Sequence, residues 1–179
     1  RVAGLERPVA VNERRPLGGI LIGGSSRRMG RPKAEILFHG KRLDTIAADA
    51  LRPHCEALHR LGEHGIPDPP GRQGPIAGIA AARAHAPDAW WVIVACDMPL
   101  LTSEAIAWLL DARQPGACAV IPRLDTGGPQ PTLALYGPGV DPLLETLTAP
   151  IQLIDQPGVQ TPRVPEHLAR CWTNVNCPD

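Results

Sequence analysis

Hydrophobic positions first gather at Leu17–Gly23. There Leu-Gly-Gly-Ile-Leu-Ile-Gly carries no charge, and a short apolar run bounded by glycines predicts a strand buried on both faces. Residues 24–33 are polar and glycine-rich and predict a loop. A short strand is expected at 36–38, turned at 39–41. Leu43, Ile46, Ala47, Ala50 and Leu51 recur at helical spacing, so 43–55 predicts a helix, with Pro53 near its end. Pattern is weakest over 56–67, where Glu-Ala-Leu-His-Arg-Leu is compatible with a short polar strand. A proline-rich loop at 67–75 precedes an alanine-rich helix at 76–86. The clearest strand is 90–96, Trp-Trp-Val-Ile-Val-Ala-Cys, with Asp97 at its carboxyl end. An amphipathic helix follows from 102 to about 113, with Thr102 or Ser103 as its N-cap. Strands are expected at 118–121, 132–136 and 172–175, and a helix at 141–147.

Strands alternating with helices, two of the strands almost purely apolar, predict a three-layer α/β/α, Rossmann-like fold around a mainly parallel sheet. Ligands of such sheets lie beyond the carboxyl ends of the strands. Two features fall there, the 24–33 loop and Asp97.

Composition narrows the partners. The chain has 179 residues with 18 basic and 18 acidic side chains, enough for one domain with a buried core. Zero net charge argues against a broad nucleic-acid-binding field, and no apolar run has the length of a membrane span. No nucleic-acid or membrane partner is expected. The 21 prolines and 18 glycines lie among apolar runs, which suits a loop-rich globular chain. The 5 cysteines have no C-x-x-C pair, and a reducing cytoplasm fits them best. Residues 1–16 lack an apolar core and read as an N-terminal arm or the remnant of an upstream segment, with 17–179 as a single domain.

Within this neutral chain, Arg27, Arg28, Arg31 and Lys33 crowd into the loop after the first strand. Glycines there let backbone N–H groups curl around an anion, and guanidinium and ammonium groups supply its counter-charge. The loop has neither G-K-[S/T] nor G-x-G-x-x-G, so a phosphate-binding nest competes with an exposed basic turn. A carboxylate at Asp97 can hold Mg²⁺ against phosphate oxygens, or can cap the following helix. Gly74-Pro75-Ile76-Ala77-Gly78 permits close approach of a base or ribose, although a proline-led helix start also accounts for it. Asp68 is a candidate for a ribose or base contact or an exposed loop residue. Asn174 and Asn176 offer two amides near the C-terminus, and a terminal turn is the alternative. The histidines show no metal-ligand spacing.

Five segments occur in a characteristic order: Gly-Gly-Ser-Ser-Arg-Arg-Met-Gly-Arg-Pro-Lys at 23–33, Gly-Pro-Ile-Ala-Gly at 74–78, Cys-Asp-Met-Pro-Leu-Leu at 96–101, Gln-Pro-Thr-Leu-Ala-Leu-Tyr at 130–136 and Asn-Val-Asn-Cys-Pro-Asp at 174–179. Over 17–179 the chain resembles the molybdenum cofactor guanylyltransferases, the MobA family of nucleotidyltransferases. The resemblance implies transfer of GMP from GTP to molybdopterin, with Mg²⁺ as cofactor and pyrophosphate released. It implies that Leu21, Ile22, Gly23, Gly24 and Gly78 border the nucleotide, that Lys33 and Arg28 hold its phosphates, and that Asp68 and Asp97 are the two nucleotide-site aspartates. Asp97 would also be the metal ligand. Gln130, Asn174 and Asn176 are candidates for the acceptor, with a role in loop structure the alternative for Gln130, and molybdoenzyme chaperones or cofactor-insertion proteins are the implied partners.

Three departures accompany the match. The spacing from Gly24 to Lys33 is one residue shorter than in some guanylyltransferases, and Arg-Met-Gly-Arg-Pro-Lys resembles related cytidylyltransferases. Residues 43–44 look short against the family's Leu-Leu-Asp. The asparagine that the family places after its second strand has no counterpart between Glu56 and Gly65. Cytidylyl transfer to molybdopterin or another phosphorylated acceptor is therefore the rival activity, and a nucleotide- or pterin-binding carrier without catalysis the rival class.

Overall fold

The computed structural model of the chain describes residues 14–22, 33–62 and 64–175. Strand β1 (Leu17–Ile22) lies at the centre of the sheet, between β4 (Leu58–Gly62) and β5 (Trp91–Ala95), and runs parallel to both. Beyond β5 lie β9 (Leu133–Tyr136), then β6 (Ala119–Val120) and β10 (Val159–Gln160), giving the order β10-β6-β9-β5-β1-β4. Only β9 runs against its neighbours.

Period-2 alternation sorts the core into two layers, because neighbouring side chains on a strand face opposite ways. Ile20, Ile22, Val92, Val94, Leu133 and Leu135 pack under helices α1 (Leu43–Leu51) and α3 (Ser103–Asp111). Leu21, Trp91, Ile93, Ala134 and Tyr136 pack under α2 (Pro75–His85) and α4 (Asp141–Thr146). The expected three-layer α/β/α architecture is present. No helix among the described residues is long and apolar enough to cross a membrane.

From β1 the chain passes through α1 to β4 on one side, then through α2 back across β1 to β5 on the other. The direction of winding reverses between β1 and β5, which opens a crevice at their carboxyl ends. A small antiparallel hairpin, β2 (Leu37–Phe38) and β3 (Lys41–Arg42), precedes α1. A second, β7 (Arg123–Leu124) and β8 (Gly128–Pro129), leaves the carboxyl end of β6 and leads into β9.

Two sequence expectations are corrected. The segment 172–175 is not a strand: a 3-10 helix, Glu166–Trp172, occupies its start and 173–175 is irregular. The first helix stops at Leu51 rather than reaching 55, four residues short, and Pro53 lies beyond its C-cap, Arg52. The weakly patterned 56–67 segment does contain a strand, β4. Its polarity has a simple cause: β4 is an edge strand, so His59 and Arg60 are only partly covered. At the N-cap of α3, Thr102 Oγ1 accepts from the Ala105 amide at 3.3 Å, while Ser103 Oγ lies 2.8 Å from His54 Nε2.

On the α2 face, the His59 ring lies 5.2 Å from that of His85 and 5.4 Å from that of Trp91. Burial, with repulsion from His85 second, lowers the His59 pKa from its ordinary 6.5. Since the folded state then binds a proton less readily than the unfolded chain, stability falls as pH drops through the window beneath 6.5. Thermal melts across about pH 5–7 are expected to show this slope flattened in His59→Gln. An identical slope in that variant would assign the effect elsewhere.

Candidate functional site

The crevice is built first by strand register. Leu21 stands opposite Ala95, and the Cys96 amide donates to the Leu21 carbonyl at 3.3 Å, so the ends of β1 and β5 are locked side by side. Leu21 and Ile22 are buried at the end of β1, facing opposite layers. Asp97 follows in the turn just beyond β5. It is half-buried, and its Oδ1 is closed off from solvent.

Two further segments close on this point. The Val175 amide donates to the Asp97 carbonyl at 2.9 Å, which brings the exposed Asn174 beside Asp97. The Ala95 amide donates to the Thr132 carbonyl at 2.7 Å, seating the 130–132 segment against the end of β5. Gln130 heads that segment, but its Nε2 donates to the carbonyls of Gly127 at 3.0 Å and Gly128 at 3.2 Å. The side-chain amide thus braces the β7–β8 hairpin.

Gly78 serves packing. A Cβ there would lie 2.4 Å from Leu21 Cδ2, so the missing side chain lets α2 sit directly on the end of β1. Gly78→Val is expected to cost about 1–3 kcal/mol, the range for overpacking a filled core. Urea denaturation measures the loss, and an unchanged midpoint would show that Leu21 can move aside freely. Asp68 lies on the exposed loop that leads to α2. Desolvation raises its carboxyl pKa above the ordinary 3.8. Lys33 opens the 3-10 turn Lys33–Glu35 that ends the basic loop. Gly23, Gly24, Arg28 and Asn176 lie outside the described residues.

No asparagine directly follows β4, which ends instead in a tight return. Gly62 ends β4 opposite Ile22 with φ +97°, and a Cβ there would lie 2.6 Å from the Ile22 carbonyl oxygen. The chain then doubles back: the Gly62 amide donates to the Ile66 carbonyl and the Ile66 amide to the Arg60 carbonyl, both at 2.8 Å. This tight return leaves no room for an L side chain at the strand end.

A cluster that the sequence reading did not single out surrounds Asp44, in the first turn of α1 and 5% exposed. Arg42 donates to it twice, Nε to Oδ1 at 3.0 Å and Nη2 to Oδ2 at 2.9 Å, and Arg60 Nη2 reaches Oδ2 at 2.8 Å. Burial raises the Asp44 pKa, yet the two guanidinium groups outweigh it and hold the carboxyl below its ordinary value. Its sequence signal was the helical spacing of Asp44, Ala47 and Leu51, which places a carboxylate on the buried face.

The donor set fits Mg²⁺. Among the described residues no group of three or more His, Cys, Asp or Glu side chains could encage a metal ion. One carboxylate at a strand end matches a small hard ion that takes its other oxygens from phosphates and water.

Residues 18–153 match the MobA-like NTP transferase domain. A probable molybdenum cofactor guanylyltransferase from Deinococcus radiodurans is 33% identical over 172 residues, spanning 89% of this chain and 88% of that protein. Another from Halalkalibacterium halodurans is 30% identical, spanning 91% and 94% of the two chains. The crystal structure of molybdopterin-guanine dinucleotide biosynthesis protein A from Archaeoglobus fulgidus superposes with a TM-score of 0.73 at 26% identity, over 90% of this chain and 93% of that one. With the Cys96–Leu101 segment at the reversing point of its sheet and the family match spanning residues 18–153, the chain belongs to the MobA-like NTP transferase family.

Proposed function

We propose that this protein transfers GMP from GTP to the terminal phosphate of molybdopterin and releases pyrophosphate. The observation that carries this is the convergence at Asp97: the end of β5 is locked to β1, and the Asn174–Val175 segment is hydrogen-bonded to it, in a chain of this family. An acceptor phosphate oxygen bonds to the α-phosphorus as the bond to the β-phosphate bridging oxygen breaks. The attacking group is already ionised, so no general base is required, and catalysis rests on positioning and charge neutralisation.

Asp97 is the residue that would hold Mg²⁺, and the chemistry the ion supplies there is neutralisation of charge on the reacting phosphates. Lys33 and Arg28 steady the triphosphate as pyrophosphate leaves. Leu21, Ile22, Gly23, Gly24 and Gly78 border the nucleotide, and Asp68 contacts its ribose or base. Gln130, Asn174 and Asn176 face the acceptor, Gln130 through the hairpin it braces.

Incubation with molybdopterin and each nucleoside triphosphate in turn, followed by weighing of the product, tests the proposal. The expected product is heavier than molybdopterin by a guanylyl group and appears with stoichiometric pyrophosphate. A cytidylyl adduct would overturn the choice of nucleotide. Nucleotide binding with no pyrophosphate would make the chain a carrier.

A further inference from the structure

The β2–β3 hairpin and the 33–35 turn join the basic loop to α1, yet their apolar anchorage is slight. Leu37 is 63% exposed, Phe38 is half-buried and Ala34 is the buried residue of the turn. Helix α1 does not share this weakness, because Leu43, Ala47, Ala50 and Leu51 are buried along it. What fixes the hairpin is polar. Asp44 receives Arg42 from β3 and Arg60 from β4, and Arg42 Nη2 also lies 3.8 Å from Oε1 of Glu35, in the turn opened by Lys33. The Leu43 amide adds a bond to the Ile36 carbonyl at 3.0 Å. One carboxylate thus ties turn, hairpin, helix and edge strand together. The side chains of Arg42 and Arg60 are 41% and 47% exposed, against 6% for Asp44, so the charge sits inside and the two cations surround it.

We infer that Asp44 is a positioning residue for the nucleotide triphosphate: through Arg42 and Arg60 it fixes the turn that sets the backbone of Lys33 relative to β1. This rests on the reading that the 23–33 loop takes the phosphates. The loop begins at β1, which the sheet holds, and ends at the turn, which the Asp44 node holds. Holding the turn sets the position of the Lys33 backbone before GTP arrives, so that ordering cost is not charged to binding. Placement errors near a reacting group are costly, about 100-fold for a displacement of an ångström.

The test uses the full chain with Asp44→Asn, Arg60→Met and Lys33→Ala, each titrated with GTP in the absence of acceptor and assayed for turnover. Asp44→Asn and Arg60→Met are expected to weaken GTP binding about tenfold or more and to leave the acceptor KM within about twofold, a split that general loosening of the fold would not produce. In a Lys33→Ala background, Asp44→Asn is expected to add no more than about twofold, because the node acts through Lys33. Arg60→Met keeps the apolar stem of a half-exposed side chain, and so reports on the node even if Asp44→Asn does not fold. Full GTP affinity in Arg60→Met, or a loss that simply adds to that of Lys33→Ala, would overturn the inference. If Lys33→Ala itself binds GTP normally, the phosphate-loop reading fails, a result distinct from a weakened Lys33→Ala beside an unaffected Asp44→Asn.

Discussion

Asp97→Ala is expected to lower Mg²⁺-dependent guanylyl transfer by about 10²- to 10³-fold, equivalent to about 2.7–4 kcal/mol, the loss seen when a preorganised electrostatic contact to a transition state is removed. The fold should tolerate the change. The bond that Asp97 makes to Val175 runs through its backbone carbonyl, which alanine retains. Melting the variant with and without Mg²⁺ and GTP, beside a pyrophosphate-release assay, separates the effects: an unchanged thermal midpoint with a collapsed rate is expected. Undiminished Mg²⁺-dependent transfer would remove Asp97 from the chemistry.

The largest loss of stability is expected on the other face of the sheet, at Asp141→Ala. Arg83 is 1% exposed, near the end of α2, and its Nε and Nη2 each donate to the Asp141 carboxylate at 2.8 Å. Arg83 also donates to the carbonyls of Pro87 and Ala89. Removing Asp141 leaves a buried guanidinium with carbonyl dipoles but no counter-charge, and breaking a buried pair from one side costs about 3–5 kcal/mol. Asp141 itself is 42% exposed, so water can reach the vacated site and the lower end of that range applies. Urea denaturation at neutral pH measures the difference. A loss under about 1 kcal/mol, comparable to a neutral hydrogen bond, would mean that Pro87 and Ala89 hold the cation unaided.

The layers and the crevice were legible because they rest on local pattern. Uncharged runs at Leu17–Gly23 and 90–96 mark buried parallel strands, and the end of the second of them places Asp97 at the reversing point of the sheet. What escaped depends on partners distant in sequence. Arg60 reads as a polar interruption of a strand until Asp44, sixteen positions earlier, is seen opposite it. Arg83 looks like a solvated helix residue until Asp141, 58 positions on, is brought to it. Gly78 belonged to a recognised motif, yet its contact with Leu21 follows only from the packing of α2 on β1. The final strand expected at 172–175 failed for a related reason: Trp172 is held by its indole N–H on the Leu133 carbonyl, a tertiary contact that suits a 3-10 turn as well as a strand.

The single reversed strand decides which part of the rim can vary. Because β9 runs opposite to β6 and β5, the excursion between β6 and β9 must leave and re-enter the sheet at the rim where β1 and β5 end. An insertion, deletion or exchange within 121–132 therefore alters this rim, while β1 and β5, whose ends hold Leu21 and lead to Asp97, keep their pairing. One part of the rim can thus vary in length and sequence while the neighbouring part is fixed by sheet pairing, so change in the first need not disturb the second.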